Sequence, residues 1–583
     1  MTEPRSALSG SLNQYRLLLL VGILVNLVLF PLNHFVGIAV NHGDYTPFSV
    51  DPRVSDLVYD ETQLYLPGPS RFFHSGKIQA EVDVAELRDI PNGYPILHSL
   101  LLGLLARALG SMELAWMASH AVFPTLIWVL LYWYACGVLR SAVLSAAIAW
   151  ATCLFAFGPR NALLLREGSF IQPLELTRIA HPSIAFLLLF LAIVLLAHAL
   201  SRPTVIRILL GGLSAGTLFY AYYFYWIAFF AGAGVLFLVL LWLKNWRFAK
   251  PVLGVLVTGG LTGVPYFSWT VRGMRSGFQQ NLMWRVGTLS RSPNLPALAL
   301  AGSLLIFFCI FCKFQVRAKS GGNVLLQVSL LAVIVGAALG LNFHLLTGFD
   351  AQHLHFYNRA LQPLGTYTAG LLILGFEPAK KKLHGRAMLA LTSIAMVLLI
   401  SAACLRQIRT GRNTAQLHRQ SDPRMDALTW LRSHESTGSV VGSTDRDLLT
   451  LIPGIIGTWT FVPLGDRSMA PNLEILTRYL MLCRLENRSW PDVESELRSD
   501  EKSTSNNISY LSYVLVMYKM TPHQVEALRA IWDHLDLEDE FRSRHLDYFI
   551  TRSSQTATAS SGVNWLTLIY QNSGWRVFRV NAH

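Results

Sequence analysis

Eleven apolar stretches, most of them long enough to cross a lipid bilayer, constrain this chain more than any other feature. A membrane-spanning helix takes about 17 to 25 predominantly apolar residues. Such runs stand at 15–38, 113–139, 182–200, 204–222, 223–243, 251–271, 323–346 and 386–404, with shorter ones at 142–157, 297–312 and 360–376. Backbone polar groups in hydrocarbon must be satisfied within the segment, so runs of this kind predict helices. The charged fraction of 14% supports the same reading, since soluble chains carry about 25%. The first run is too long for a removable signal peptide and lacks a small-residue cleavage site, so it reads as a signal anchor. The expected class is a polytopic α-helical membrane protein of about 11 transmembrane helices, followed by a soluble α/β domain.

Sidedness follows from charge. Lys and Arg accumulate in cytoplasmic loops. The run 95–110 has sixteen residues and contains His98 and Arg107. If it does not cross, Arg140, Arg202 with Arg207, Lys244 with Arg247, Lys313 to Lys319, and Lys380 to Lys382 share one face with Arg5. If it crosses, they leave that face and the rule fails throughout. The run therefore reads as a helix lying in, or re-entering, the outer interface. The N-terminus is then cytoplasmic, the C-terminus extracytoplasmic, and the outer loops are 41–112, 158–181, 272–296 and 347–359. In this setting the net charge of +13 reflects cytoplasmic basic residues facing anionic lipid, not nucleic acid.

Polar residues dominate beyond residue 405, which divides the chain into a membrane domain at 1–404 and an extracytoplasmic α/β domain at 405–583. Helices are expected at 425–431, 472–485 and 522–535, and strands at 439–441, 457–462, 546–550, 566–570 and 575–580. Cys309 and Cys312 form a C-x-x-C, but phenylalanines flank them and no second pair exists, so they read as helix packing.

Candidate chemistry gathers in the outer loops. The segment 41–94 is the most acidic of the membrane half, with Asp60-Glu61 at its centre. Adjacent carboxylates supply a general base, or one holds a cation while the other takes a proton. Outer loops should be poor in basic residues, yet Arg160, Arg166, Arg178, Arg272, Arg275, Arg285, Arg291 and Arg359 all fall there. Arginine grips phosphate oxygens bidentately, so these mark a site for a lipid phosphate or pyrophosphate. His353 and His355 would share a face on an extended segment, where Asp350 could complete a metal site; a substrate-contacting loop ranks above metal, and a helix-end cluster of hydrogen-bonded histidines above both. The aromatic run 219–226 reads as an interfacial belt.

This arrangement resembles the GT-C superfamily of integral-membrane glycosyltransferases, which use polyprenyl-phosphate-linked sugars at the non-cytoplasmic face. The resemblance covers roughly residues 15–400. It rests on the first helix, the large outer loop with Asp60-Glu61, the Tyr94-Pro95 lead into 96–110, a second span ending at Arg140, and the outer loop with Arg160 and Glu167. Family members have two prolines after the Tyr; Tyr94-Pro95-Ile96 has one, which leaves the subfamily open. The resemblance implies a catalytic carboxylate at Asp60 or Glu61, and an inverting reaction without metal or other cofactor. A divalent cation belongs to the oligosaccharyltransferase branch, whose Trp-Trp-Asp motif is absent here. Asp60 would take the acceptor proton and Glu61 would position the acceptor. Arg178, Arg285 and Arg359 would stabilise the departing phosphate, with Arg160, Glu167, His353 and His355 also contacting substrate. The implied partners are a polyprenyl-phosphate sugar donor, a lipid, glycan or protein acceptor, and the lipids of a bacterial inner or plasma membrane. A transporter or flippase would need ionisable residues in mid-span, and these are scarce. A non-catalytic envelope scaffold is the remaining alternative.

Overall fold

The computed structural model describes residues 5–48, 65–79, 83–90, 96–157, 174–278, 281, 288–317, 322–350, 352–375, 386–434, 438–463, 468–498, 521–554 and 565–581. The chain is predominantly helical. Among the described residues six helices are long and apolar enough to cross a membrane, or seven if the bent pair Asn13–Leu29 and Leu32–Val40 is one span. Shorter apolar helices occupy Ala142–Phe155, Val205–Ala221 and Val324–Gly340. The protein is thus an integral membrane protein, as its apolar runs predict.

The chain divides into two compact units. The first comprises Met1–Gly37, Trp116–Tyr266 and Leu289–Asn413. Its helices approach closely through small residues, because apolar side chains gain little by leaving lipid for another helix. Helices Tyr223–Trp242 and Gly322–Gly340 meet at Gly232 and Gly336. A Cβ on Gly336 would stand 2.0 Å from the Ala228 carbonyl, so only glycine permits this contact. The same core buries Trp128, Trp150, Phe186, Phe190, Tyr225, Phe229 and Tyr367, all at most 1% exposed.

The second unit comprises Ile38–Ala115, Phe267–Thr288 and Thr414–His583. The residue-404 boundary drawn from composition falls inside helix Arg386–Thr414. The unit contains a five-stranded sheet in the order Trp459–Thr460, Val440–Ser443, Tyr548–Arg552, Trp575–Val580, Leu566–Gln571. The first three strands are parallel and the last two pair antiparallel. Val440–Ser443 is buried at every position, as expected of a strand covered on both faces. Helices Pro423–His434, Asn472–Leu485, Trp490–Arg498, Pro522–His534 and Leu537–Arg544 accompany it.

Part of the acidic first loop belongs to this unit's framework. The Thr460 N–H donates to the Asp83 carbonyl at 2.8 Å, extending the sheet edge. Arg478, 4% exposed, pairs with Glu86 at 2.9 Å and Glu474 at 2.8 Å, while Arg544 also holds Glu474. These arginines keep the half-buried Glu474 carboxyl below its usual range against the opposing cost of burial. Helix Leu97–Leu109 packs on Pro67–Ser75, where a Cβ on Gly103 would meet the Phe72 ring. At 13 residues it is about 20 Å long, well short of a hydrocarbon core of about 30 Å.

Candidate phosphate-binding site

The first unit buries three arginines around one carboxylate. Arg178, Arg359 and Arg406 are 5%, 9% and 8% exposed. The Glu175 carboxylate accepts from Arg359 Nη1 at 2.6 Å, and the same oxygen lies 3.9 Å from Arg178 Nη1. Arg406 interacts electrostatically with Glu175. Arg359 and Arg178 thus share the Glu175 carboxylate, and Arg406 stands within electrostatic range of it. The Arg359 Nε is buried and has no hydrogen-bond partner among those residues.

Two prolines place the arginines. Arg178-Ile-Ala-His-Pro182 and Arg359-Ala-Leu-Gln-Pro363 share one spacing. Proline has no N–H, so the carbonyl four residues before it loses its helical donor. In the first segment the Ser183 N–H reaches the Arg178 carbonyl instead, at 3.1 Å, opening the π-helical turn Ile179–Ile184. In the second, the Tyr225 hydroxyl donates to the Arg359 carbonyl at 2.8 Å, and the backbone forms the π turn Phe356–Leu361. Each arginine therefore stands at the widened entrance of a helix, Ala185–Ser201 or Gln362–Gly375. Such π turns recur at functional sites.

The Glu175 segment is held from a third side. Pro31 breaks the first membrane helix with a bend of 42°. The freed Phe30 carbonyl accepts from the Gln407 amide at 2.6 Å, and Gln407 Oε1 accepts from the Leu174 N–H at 3.3 Å. Gln407 is fully buried and follows Arg406 on helix Arg386–Thr414. The Thr177 hydroxyl donates to the Leu174 carbonyl at 2.7 Å and the Ser183 hydroxyl to the Leu176 carbonyl, closing the turn Glu175–Thr177.

His355 borders the arginines. Burial, then the charges of Arg359 and Arg178, push its pKa down to about 3. The ring is therefore neutral, with Nδ1 against the Tyr222 hydroxyl at 2.5 Å. Tyr222 is the extended residue between helices Val205–Ala221 and Tyr223–Trp242.

The two histidines part company in the structure. The expected extended segment is a turn entering the π helix, so His353 and His355 do not share a strand face. His353 Nδ1 pairs with Asp350 at 2.7 Å while His355 turns to Tyr222. The aromatic run is not a lipid-facing belt: Phe219, Tyr222, Phe224 and Tyr225 are all buried, and two of their hydroxyls organise the site. Of the residues singled out from sequence, Arg178, Arg359 and His355 come together. Asp60, Glu61, Arg160, Glu167 and Arg285 lie outside the described residues. Glu175, Arg406 and Gln407 escape sequence reasoning, although an ionisable residue within a helix of spanning length, such as Arg406, is a general marker of function.

Neither a family model nor a curated protein sequence matches the chain. Among solved structures it is similar to the archaeal oligosaccharyltransferase AglB from Archaeoglobus fulgidus, in complex with an inhibitory peptide and a dolichol-phosphate. The TM-score is 0.45 at 10% identity, covering 92% of this chain and 69% of that one. It is also similar to ArnT from Cupriavidus metallidurans bound to undecaprenyl phosphate, with a TM-score of 0.45 at 12% identity over 96% and 97% of the two chains. The apo state of the same ArnT gives 0.42 at 12% identity over 90% and 95%.

Proposed function

We propose that the chain is an inverting membrane glycosyltransferase that moves a sugar from a polyprenyl-phosphate donor to an acceptor at the outer membrane face. The observation that carries this reading is the buried cluster of Arg178, Arg359 and Arg406 on the single carboxylate of Glu175. A phosphate held there would meet three buried guanidinium groups. When the sugar leaves, charge grows on the phosphate oxygen, and preoriented donors stabilise that growth. The Arg359 Nε, buried and unpartnered among the described residues, is one such donor. Two arginines at the mouths of membrane helices suit a phosphate whose polyprenyl chain remains in lipid.

In this proposal Asp60 takes the proton from the acceptor hydroxyl as that oxygen attacks the anomeric carbon, and Glu61 positions the acceptor. The phosphate leaves with the bonding electron pair. No metal enters the step. The acceptor is a lipid, glycan or protein. Eleven spans put the N-terminus in the cytoplasm and residues 405–583 outside a bacterial inner or plasma membrane.

The test is release of polyprenyl phosphate from a labelled polyprenyl-phosphate sugar by the purified, reconstituted protein. Arg359→Lys keeps the charge but loses the planar fork. Loss of one preoriented donor costs about 10²- to 10³-fold in turnover. Release by wild type and its loss in a folded Arg359→Lys variant are expected. Wild-type turnover in that variant would remove Arg359 from the chemistry.

A further inference from the structure

A second basic site lies at the other end of helix Ala185–Ser201. Arg178 stands before the helix begins, and Arg202 follows its last residue. The helix has 17 residues, about 25 Å, which separates the two sites by most of a bilayer core. Here a cavity of about 610 Å³ is lined on its polar side by Tyr134, His198, Ser201, Arg202 and Arg207. None of its nine lining residues is acidic.

The polar wall is organised. Arg207 Nη1 donates to the Arg202 carbonyl at 3.5 Å, which keeps the two guanidinium-bearing residues together. Arg207 sits in the first turn of helix Val205–Ala221, which Thr204 caps through the Arg207 N–H. The positive end of that helix dipole adds to the two charges. Ser201 Oγ donates to the His198 carbonyl, and the His198 ring faces the Tyr134 hydroxyl at 3.5 Å.

The remaining wall is apolar, with Leu195, Ala197, Leu210 and Leu326. Leu210 is 49% exposed and belongs to a ridge that the same helix turns outward with Ile206, Leu209 and Leu213. A free phosphate ion has no use for such a ridge. A phosphodiester carrying acyl chains does, and basic pockets between membrane helices are known to suit such headgroups.

We propose that this cavity binds the headgroup of an anionic phospholipid in the leaflet opposite the buried arginine cluster. Arg202 and Arg207 hold the phosphodiester, and an acyl chain lies along Ile206, Leu209, Leu210 and Leu213. The site is independent of the transfer reaction.

The experiment uses the full-length protein in detergent, titrated with phosphatidylglycerol or phosphatidylcholine and read by native mass spectrometry. Wild type should retain phosphatidylglycerol roughly tenfold to thirtyfold more tightly than phosphatidylcholine, the preference two nearby cations confer. The double variant Arg202→Ser with Arg207→Ser should lose most of that preference. Arg247→Ser, which removes a basic residue outside the cavity lining, should keep it. Leu210→Trp, which narrows the apolar side of the cavity and leaves both charges, should lower retained lipid and serves if the double variant does not fold. An unchanged preference in both cavity variants overturns the proposal, as does an equal loss in Arg247→Ser. Displacement of phosphatidylglycerol by equimolar inorganic phosphate overturns the lipid assignment.

Discussion

Glu175→Gln removes the one carboxylate that the buried arginines share, and its consequences for the empty and the loaded protein run in opposite directions. Glu175 Oε2 lies 2.6 Å from Arg359 Nη1 and 3.9 Å from Arg178 Nη1. At an effective dielectric constant of about 20 these separations correspond to roughly 6 and 4 kcal/mol of gross attraction. Desolvation of the carboxylate offsets much of this, and removing one partner of a buried pair costs about 3 to 5 kcal/mol net. Gln retains the shape and one acceptor, so about 3 kcal/mol is expected, seen as a lower thermal midpoint in detergent. In the proposed site Arg359 and Arg178 then meet a phosphate without competition from the Glu175 charge. Undecaprenyl phosphate should bind the variant about tenfold more tightly, equivalent to about 1.4 kcal/mol. Its addition should therefore raise the midpoint of the variant more than that of wild type. The assay is a thermal midpoint series against lipid phosphate for both proteins. An unchanged midpoint without ligand would show that Glu175 does not neutralise the cluster. Equal or weaker lipid binding by a destabilised variant would show that the arginines do not face the phosphate.

Asp60→Asn keeps size and hydrogen bonding but cannot accept a proton, so turnover should fall about 10²- to 10⁴-fold with folding intact; Glu61→Gln should do less harm. If Glu61→Gln alone is inactive, the two roles are exchanged, and if both variants are fully active the pair has no part in the chemistry. Reporter fusions at Gly110 and Arg140 should read outside and inside, respectively; the reverse removes the eleven-span topology. His355, with its folded pKa near 3 against 6.5 unfolded, leaves stability intact above about pH 6.5 and removes it as pH falls toward 3. The unfolded chain gains the proton that the folded one refuses, with a slope of up to about 1.4 kcal/mol per pH unit. His355→Gln should flatten the acid limb of the thermal midpoint between pH 6.5 and 4.5, and parallel curves for the two proteins would contradict it.

The helices of this chain are legible because apolar length alone selects them, and the short helix Leu97–Leu109 stands out by the same measure. The hairpin Leu566–Gln571 with Trp575–Val580 is legible through its β-formers and the turn Asn572-Ser573-Gly574. There Asn572 Oδ1 accepts from the N–H groups of Gly574 and Trp575. Helix Arg446–Ile455 escapes the same reading, because Pro453-Gly454 near its end looks like a breaker of the whole segment.

The site divides along a similar line. Arg178 and Arg359 are visible as basic residues on a face where the charge rule disfavours them. Glu175 is not, because its strongest partner lies 184 positions away; Gln407 reaches back 377 positions to Phe30. Yet a purely local signal was present. Both arginines stand four residues before a proline at the entrance to a helix of the first unit. That spacing withdraws the helical donor from the arginine's own carbonyl, so the turn must widen and its backbone must find another partner. The partner is Ser183 in one case and Tyr225 in the other. Proline thus marks where the backbone opens, and the charge rule marks what stands there. Together they point to these two arginines, but neither reports which carboxylate tertiary folding brings between them.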